Sequence, residues 1–121
     1  VDAPCSGTGA WRRSPDARWR LTPEQLESYR VTQAEVLARG ARLVRPGGRL
    51  VYVTCSLLPS ENEDRVASFL GQREDFTQLP WQASWPADLP APDAASGLAL
   101  RLSPARSGTD GFFVAIMQRK T

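Results

Sequence analysis

The chain has 121 residues, of which 41% are hydrophobic and 23% charged, a composition typical of one globular domain and not of a disordered chain. Its formal net charge of +2 is too small to indicate nucleic-acid binding by itself, and no apolar run approaches the roughly 18 residues of a membrane span. The absence of histidine excludes a Ser-His-Asp triad, and two cysteines fall short of a structural zinc site. We therefore expect a cytoplasmic protein with no membrane and no metal partner.

The first half of the chain predicts a strand end, a loop and a long helix. Val1 to Ala3 are typical of the end of a buried strand, and a Gly/Ser loop follows. Thr22 and Gln25 predict a capping box, and the apolar stripe behind them continues to Val44. The RPGG run of residues 45–48 ends that helix. Because the first motif begins at Val1 and not after a methionine, we expect the C-terminal piece of something longer.

The second half predicts strand, helix, strand, loop and strand. Leu50 to Cys55 is a β-branched and aromatic run, typical of a strand buried on both faces. Ser60 to Glu63 predict a second capping box at the start of a helix. A strand is expected near Phe76 to Leu79, a long Pro/Ala-rich loop over 81–106, and a closing strand over Gly111 to Gln118 with both of its phenylalanines in the core.

Strands separated by helices indicate an α/β fold with a mostly parallel sheet. Ligands of such sheets bind outside the carboxyl ends of the strands. Cys5 and Cys55 both follow a strand end, and the two strands are joined by one helical crossover. If these strands are neighbours, the two thiols face one cleft.

The glycines of the first loop invite comparison with a dinucleotide-binding fingerprint. Gly7 and Gly9 match its first two glycines, but Arg12 stands in place of the third, and no full strand precedes them. The fingerprint therefore fails. A tight turn with exposed backbone N–H groups is the better interpretation of this loop.

Several separated motifs resemble one enzyme family in the same order. These are DAPCSGTG, WRRSPDARWR, the helix that carries Gln33, RPGGRLVYVTCS, TCSLLPSENE and GTDGFFVA. Together they resemble the RNA (cytosine-5) methyltransferases of the bacterial Sun and eukaryotic Nop type. The resemblance implies the C-terminal half of a class I, Rossmann-like methyltransferase sheet, mostly parallel with a closing antiparallel strand. Residues 1–121 are then the C-terminal part of one catalytic domain whose N-terminal cofactor-binding half is missing, with S-adenosylmethionine as cofactor.

The resemblance also implies roles for the two cysteines. Cys55 is the nucleophile that attacks carbon 6 of cytosine, and Cys5 assists release of the methylated product. Cysteine suits the attack because its thiolate is a strong nucleophile. Asp2 resembles the acidic residue that faces the cofactor and cytosine pocket, and Pro4 is expected to fix the loop that carries Cys5.

Further residues are candidates for RNA contact or for positioning. Arg12, Arg13, Arg18 and Arg20 alternate with tryptophans and suit RNA phosphate binding and base stacking. The expected substrate is ribosomal RNA. Ser56 and Asn62 are weaker positioning candidates, and Asn62 is equally well explained as part of the first turn of a helix.

Other interpretations of the same residues remain open at this point. The cysteines also suit two small buried hydrophobes, or a disulfide between neighbouring strand ends. The Trp/Arg segment also suits an ordinary surface loop. A non-catalytic RNA-binding or assembly module is the alternative function, whereas the paired thiols argue against methylation of a protein or a small molecule. We expect the 121-residue piece alone to be inactive, and its exposed sheet edge to be able to pair with another copy.

Overall fold

A computed structural model of the chain describes residues 1–92 and 97–121. The helices are α1 (Ala17–Arg20), α2 (Pro23–Leu43), α3 (Glu63–Gln72) and α4 (Pro104–Ser107). The strands are β1 (Arg49–Thr54), β2 (Phe76–Leu79), β3 (Leu100–Leu102) and β4 (Phe112–Arg119). Short 3-10 turns cover Thr8–Ala10, Pro59–Glu61 and Trp81–Ser84. The helices and sheet together form an α/β fold, as the sequence predicts.

The sheet is built around β4, the closing strand. β1 and β2 lie on either side of β4, and β3 also pairs with it. All three pairings are antiparallel. Because β4 runs opposite to both neighbours, β1 and β2 point the same way without pairing with each other. The closing antiparallel strand is confirmed, whereas a mostly parallel sheet is not found among the described residues.

Parallel pairing occurs between the start of the chain and β1. Asp2 forms a parallel bridge with Val53, and the Ala3 N–H donates to the Val53 carbonyl at 2.9 Å. The Val53 N–H donates to the Val1 carbonyl at 2.8 Å. The strand end at Val1–Ala3 and strand β1 are therefore neighbours. This is the condition under which Cys5 and Cys55 were expected to face one cleft.

Helix α2 begins where the sequence predicts. The Thr22 hydroxyl accepts from the Gln25 N–H at 3.2 Å, and the Gln25 side chain accepts from the Thr22 N–H at 3.0 Å. Its buried face carries Leu37 and Ala41, and also the polar side chain of Gln33. A buried polar residue on this apolar face indicates that α2 also forms hydrogen bonds with other segments of the fold.

The second predicted capping box is wrong. The backbone forms a 3-10 turn over Pro59–Glu61, and α3 starts only at Glu63. Asn62 is the N-cap residue, but its side chain makes no capping hydrogen bond. The side chains of Glu61 and Asn62 instead turn inward and are buried, because they bind other segments of the fold.

The core lies between the sheet and helices α2 and α3. Tyr52 and Phe113 are buried and meet edge-to-face, with ring centroids 6.3 Å apart. Phe69 and Phe76 make a second such pair at 5.3 Å. The prediction that Phe112 is also a core residue is wrong, since its side chain is 37% exposed. Neighbouring residues of a strand point to opposite faces, so Phe112 and Phe113 cannot share one core.

The segment predicted as a long loop, 81–106, contains short regular elements. The Trp81–Ser84 turn buries Trp81, which meets Trp85 edge-to-face at 5.4 Å. Strand β3 and helix α4 lie in the second part of the segment and were not predicted. Residues 93–96 of the predicted loop lie outside the described residues. Within the described ranges, no helix combines the length and apolar character needed to cross a membrane.

Candidate active site

The two cysteines meet at the ends of the two parallel segments. The sulfur atoms of Cys5 and Cys55 lie 3.4 Å apart, within hydrogen-bonding distance for sulfur, although 50 residues separate them in sequence. Both are free thiols, and both are half-buried. The shared site that the strand order predicts is therefore present, and no disulfide joins the pair.

Two glycines allow the cysteine loops to approach so closely. The Gly9 N–H donates to the Cys55 carbonyl at 2.9 Å, and the Gly111 N–H donates to the Gly9 carbonyl at 2.8 Å. A Cβ atom on Gly9 would lie only 2.4 Å from the Gly111 carbonyl oxygen and 2.7 Å from that of Cys55. Only glycine fits at this junction, so the second glycine of the failed fingerprint has a packing role.

The pKa of the Cys5 thiol is raised from 9.0 to about 12. Burial is the largest cause, because it disfavours the charged thiolate. The hydrogen bond with Cys55 adds to the effect, and a backbone hydrogen bond from Gly7 opposes it. At neutral pH, Cys5 therefore keeps its proton and can donate a hydrogen bond to the sulfur of Cys55.

A buried carboxylate lies behind the thiol pair. Glu61 is fully buried, and its side chain accepts from the N–H and the hydroxyl of Ser6 at 2.8 and 2.6 Å. It also accepts from the hydroxyl of Ser56 and from the Gln33 amide, the latter at 3.2 Å. In the sequence, Glu61 stands only within a predicted helix cap. The signal that could have identified its role is the polar Gln33 on the apolar face of α2.

Asn62 holds the backbone on either side of Cys55. Its side-chain carbonyl accepts from the Thr54 hydroxyl at 2.5 Å, and its amide donates to the Ser56 carbonyl at 2.8 Å. The Thr54 hydroxyl in turn accepts from the Ser56 N–H at 3.2 Å. Both weaker positioning candidates of the sequence, Ser56 and Asn62, are thus buried next to Cys55 and hydrogen-bonded there.

Asp2 and Pro4 lie three residues and one residue before Cys5, and both are exposed. The Pro4 carbonyl accepts from the Gln33 amide at 2.9 Å, which anchors the start of the Cys5 loop to α2. Among the described residues, the Asp2 side chain takes part in no hydrogen bond or ion pair; its backbone forms the bridge to Val53. The roles of both residues toward a cofactor remain predictions.

The four arginines of the first loop fall into two groups. Arg12 and Arg13 both bind the carboxylate of Asp110, at 2.8 and 2.6 Å. Their guanidinium groups lower the pKa of Asp110, Arg12 being the larger cause. Arg12 and Arg13 are therefore held next to the Gly9–Gly111 junction, and Asp110 is a residue that the sequence analysis missed.

Arg18 and Arg20 lie apart on the exposed helix α1. The Arg18 guanidinium lies 4.5 Å from the ring centroid of Trp19, which is 77% exposed. Arg20 pairs with Asp16 one turn away at 3.2 Å. Arg12 and Arg13 are thus held by Asp110, the neighbour of Gly111, whereas Arg18 and Arg20 have partners only within or beside α1.

The chain matches a family of ribosomal RNA methyltransferases over almost its whole length. The family model described as 16S rRNA methyltransferase RsmB/F covers residues 1–118. The fold and the paired-thiol loops thus belong to the methyltransferase class. The chain is a member of the RsmB/F family, which confirms the resemblance that its motifs indicate.

Individual relatives agree with this assignment. The ribosomal RNA small subunit methyltransferase B of Thermus thermophilus is 38% identical over 119 residues, covering 98% of this chain and 28% of that protein. The probable ribosomal RNA small subunit methyltransferase B of Synechocystis sp. is 37% identical over 119 residues, covering 98% and 26%. The chain therefore spans about a quarter of the length of these curated relatives.

A solved structure shows the same arrangement of the backbone. NSun6 from Pyrococcus horikoshii, solved with SFG, superposes with a TM-score of 0.76 and is 26% identical. The match covers 100% of this chain and 29% of that protein.

Proposed function

We propose that this chain carries the catalytic thiols of an S-adenosylmethionine-dependent RNA methyltransferase that modifies carbon 5 of cytosine in ribosomal RNA. The single observation that carries the proposal is the contact of the Cys5 and Cys55 sulfurs at 3.4 Å. Two adjacent thiols match a reaction in which one bonds to the base and the other assists its departure. The family match supports RNA as the substrate.

Cys55 is the nucleophile in this proposal. Its thiolate adds to carbon 6 of cytosine, which makes carbon 5 electron-rich enough to take up a methyl group. S-adenosylmethionine, when bound, supplies that methyl group as an electrophile. The Cys55–C6 bond then breaks, the carbon-5 proton passes to water, and Cys55 leaves again as a thiolate.

Cys5 assists the last step by holding a proton beside the departing sulfur. Because its pKa is raised to about 12, Cys5 is a neutral thiol when the Cys55–C6 bond breaks. Its S–H can donate a hydrogen bond to the negative charge that develops on Cys55. A donor placed in advance at such a charge stabilises the transition state without reorganisation.

The residues beside the thiols suit the methyl donor in chemistry and position. Asp2 presents an exposed carboxylate three residues before Cys5, close to the carboxyl end of the first strand segment, and ligands of such sheets bind outside these ends. A carboxylate there complements a sulfonium cation or accepts from the exocyclic amine of cytosine. Pro4 adds a rigid start to the loop, which Gln33 fixes in place.

RNA contact is assigned to the two groups of arginines. Arg12 and Arg13 are held by Asp110 next to the thiol loops, with side chains 45% and 68% exposed, and so remain available to phosphate. Arg18 and Arg20 offer a second pair of exposed cations on α1, with Trp19 between them. Access to carbons 5 and 6 requires that the target base leaves its stack.

The covalent step is tested with cysteine variants of the full-length protein. Incubation with ribosomal RNA and S-adenosylmethionine, followed by denaturing electrophoresis, reports the protein–RNA adduct. We expect no adduct with Cys55→Ser and accumulated adduct with Cys5→Ala, because the first variant removes the nucleophile and the second removes the hydrogen-bond donor that assists cleavage of the bond. Equal RNA binding and no adduct in any variant would favour the non-catalytic RNA-binding module instead.

The position of methylation is tested with RNA that carries tritium at carbon 5 of its cytosines. Methylation at that carbon releases one tritium to water for each methyl group transferred. We expect release to match methyl transfer in the parent protein and to be absent in Cys55→Ser. Methyl transfer without tritium release would contradict the carbon-5 assignment and leave the family assignment untouched.

A further inference from the structure

Glu61 is a buried acid that the proposed reaction does not use. Its side chain is removed from solvent, and no lysine or arginine within residues 1–92 and 97–121 forms an ion pair with it. Burying a carboxylate is costly unless hydrogen bonds replace its water. Four donors fulfil that requirement here, and their identity indicates what the carboxylate does.

Three of the four donors belong to Ser6 and Ser56, the residues that directly follow the two cysteines. The hydroxyl of Ser6, next to Cys5, donates to the Oε2 atom of Glu61 at 2.6 Å. The hydroxyl of Ser56, next to Cys55, donates to the same oxygen. One carboxylate oxygen therefore ties together the two loops that carry the thiols, one residue away from each sulfur-bearing residue.

Glu61 is itself held from the other elements around the site. The Tyr52 hydroxyl on β1 donates to the Glu61 backbone carbonyl at 2.6 Å. The Gln33 amide on α2 donates both to Oε1 of Glu61 and to the Pro4 carbonyl, at 3.2 and 2.9 Å. The carboxylate is thus a fixed point between α2, β1 and both cysteine loops.

We infer that Glu61 is a positioning residue that sets the contact between the sulfurs of Cys5 and Cys55 through the serines that follow them. Glu61 acts through these serines and is not a catalytic residue. Its effect on thiol spacing is independent of any reaction, whereas its effect on methyl transfer rests on the proposed function.

Glu61→Gln is the variant of choice because it keeps the shape of the side chain. An amide offers one oxygen where the carboxylate offers two, so it cannot accept from all four donors, and its NH₂ group faces hydroxyl or N–H donors. Glu63→Gln is the matched control. Glu63 lies two residues further on and pairs with Arg101 on the surface, away from both serines.

Thiol spacing is measured directly by disulfide formation in the folded full-length protein. Diamide takes two electrons and two protons from the thiols of Cys5 and Cys55 and is reduced to its hydrazine, while the Sγ–Sγ bond forms. Peptide mass spectrometry reports the rate of this coupling. We expect at least a tenfold slower coupling in Glu61→Gln and the parent rate in Glu63→Gln.

A purely structural role of Glu61 predicts lower thermal stability but an unchanged coupling rate in molecules that remain folded. Coupling at the parent rate in folded Glu61→Gln would overturn the inference. If Glu61→Gln does not fold, Ser6→Ala replaces it, because that change removes one of the two tethers and leaves the carboxylate in place. We then expect slower coupling, and the parent rate would again overturn the inference.

The adduct assay separates this inference from the proposed function. Slow coupling in Glu61→Gln together with no accumulated adduct in Cys5→Ala would refute the proposed chemistry alone. Parent-rate coupling together with accumulated adduct in Cys5→Ala would refute the positioning role alone. If both proposals hold, Glu61→Gln slows cleavage of the adduct by at least tenfold, so that adduct accumulates as it does in Cys5→Ala, and leaves RNA affinity unchanged.

Discussion

The raised pKa of Cys5 leads to a testable difference in thiol reactivity. Only the thiolate reacts with iodoacetamide, so the rate of alkylation follows the thiolate fraction. Cys5 in the folded protein is therefore expected to react much more slowly at pH 8 than the same cysteine in the denatured chain. The perturbation that tests the cause is Cys55→Ser, which removes the neighbouring sulfur but keeps the burial.

The size of the effect follows from the pKa. Raising the pKa from 9.0 to about 12 lowers the thiolate fraction at pH 8 by roughly a thousandfold. A thiolate of higher pKa is intrinsically more nucleophilic, with a Brønsted slope of about 0.4–0.5, which restores a factor of about 20. The net expectation is alkylation of Cys5 about 50-fold slower in the folded protein.

The assay is a time course of alkylation with peptide mass spectrometry, repeated from pH 7 to 11. Steric shielding alone would lower the alkylation rate of Cys5 by the same factor at every pH. A raised pKa also moves the rise of that rate to higher pH. In the folded protein the rate of Cys5 is expected to keep rising beyond pH 10. In Cys55→Ser the rate at pH 8 is expected to exceed that of the parent, since a contribution from Cys55 to the raised pKa is lost, but to stay below that of the denatured chain.

A profile for Cys5 that levels off near pH 9 in the folded protein would refute the reasoning.

The same pKa has a consequence for stability. The folded state holds the Cys5 proton up to a higher pH than the unfolded state does. The contribution of this thiol to the free energy of unfolding is therefore fully present below pH 9 and is lost as the pH rises towards 12. We expect the free energy of unfolding of the parent to fall with pH above pH 9, and to fall less steeply in Cys5→Ser, which lacks the thiol.

The remaining predictions concern the glycine junction and the basic loop. Gly9→Ala is expected to separate the cysteine loops and to lower the rate of diamide coupling at least tenfold, because its Cβ would lie 2.4 Å from the Gly111 carbonyl oxygen. Gly71→Ala is the control: apart from its chain neighbours and the backbone of its own helix, no atom would lie within 4 Å of its Cβ, and alanine in α3 is expected to add about 0.5–1 kcal/mol of stability in thermal unfolding. Arg12→Gln and Arg13→Gln are each expected to lower the slope of log affinity against log salt for single-stranded RNA by about 0.7, measured by fluorescence anisotropy. An unchanged slope in both would contradict phosphate binding by this loop.

Local signals in the sequence predicted most of the regular elements. Thr22 and Gln25 formed the capping box expected of them, because such a cap depends only on residues within one turn. The second box, Ser60 with Glu63, did not form: Glu63 pairs with Arg101, and Glu61 between them is buried against distant partners. Those partners, Ser6 and Gln33, are 55 and 28 residues away, beyond the range of any local pattern.

The candidate site shows the same limit. Residues that local patterns and strand order can indicate were predicted, and residues whose contacts join distant parts of the sequence were missed. Cys5 and Cys55 were predicted to share a cleft on the condition that the two strands they follow, joined by one crossover, are neighbours. Asp110 was missed, since its binding of Arg12 and Arg13 depends on how the loop before β4 lies against the first loop. Strand β3 was missed as well, because three residues carry too little periodicity to predict a strand.

The sequence by itself determined that two thiols follow the ends of two strands joined by one helical crossover, since strand ends and connectivity depend on local patterns; that these strands are neighbours was decided by the tertiary structure. Only the tertiary structure decided that the sulfurs touch, that Cys5 holds its proton, and that Glu61 lies behind both loops. Contact, burial and hydrogen bonding between distant segments depend on packing in three dimensions. The sheet direction also belongs to the tertiary level, because the insertion of β4 between β1 and β2 follows from which strands pair and not from any single strand.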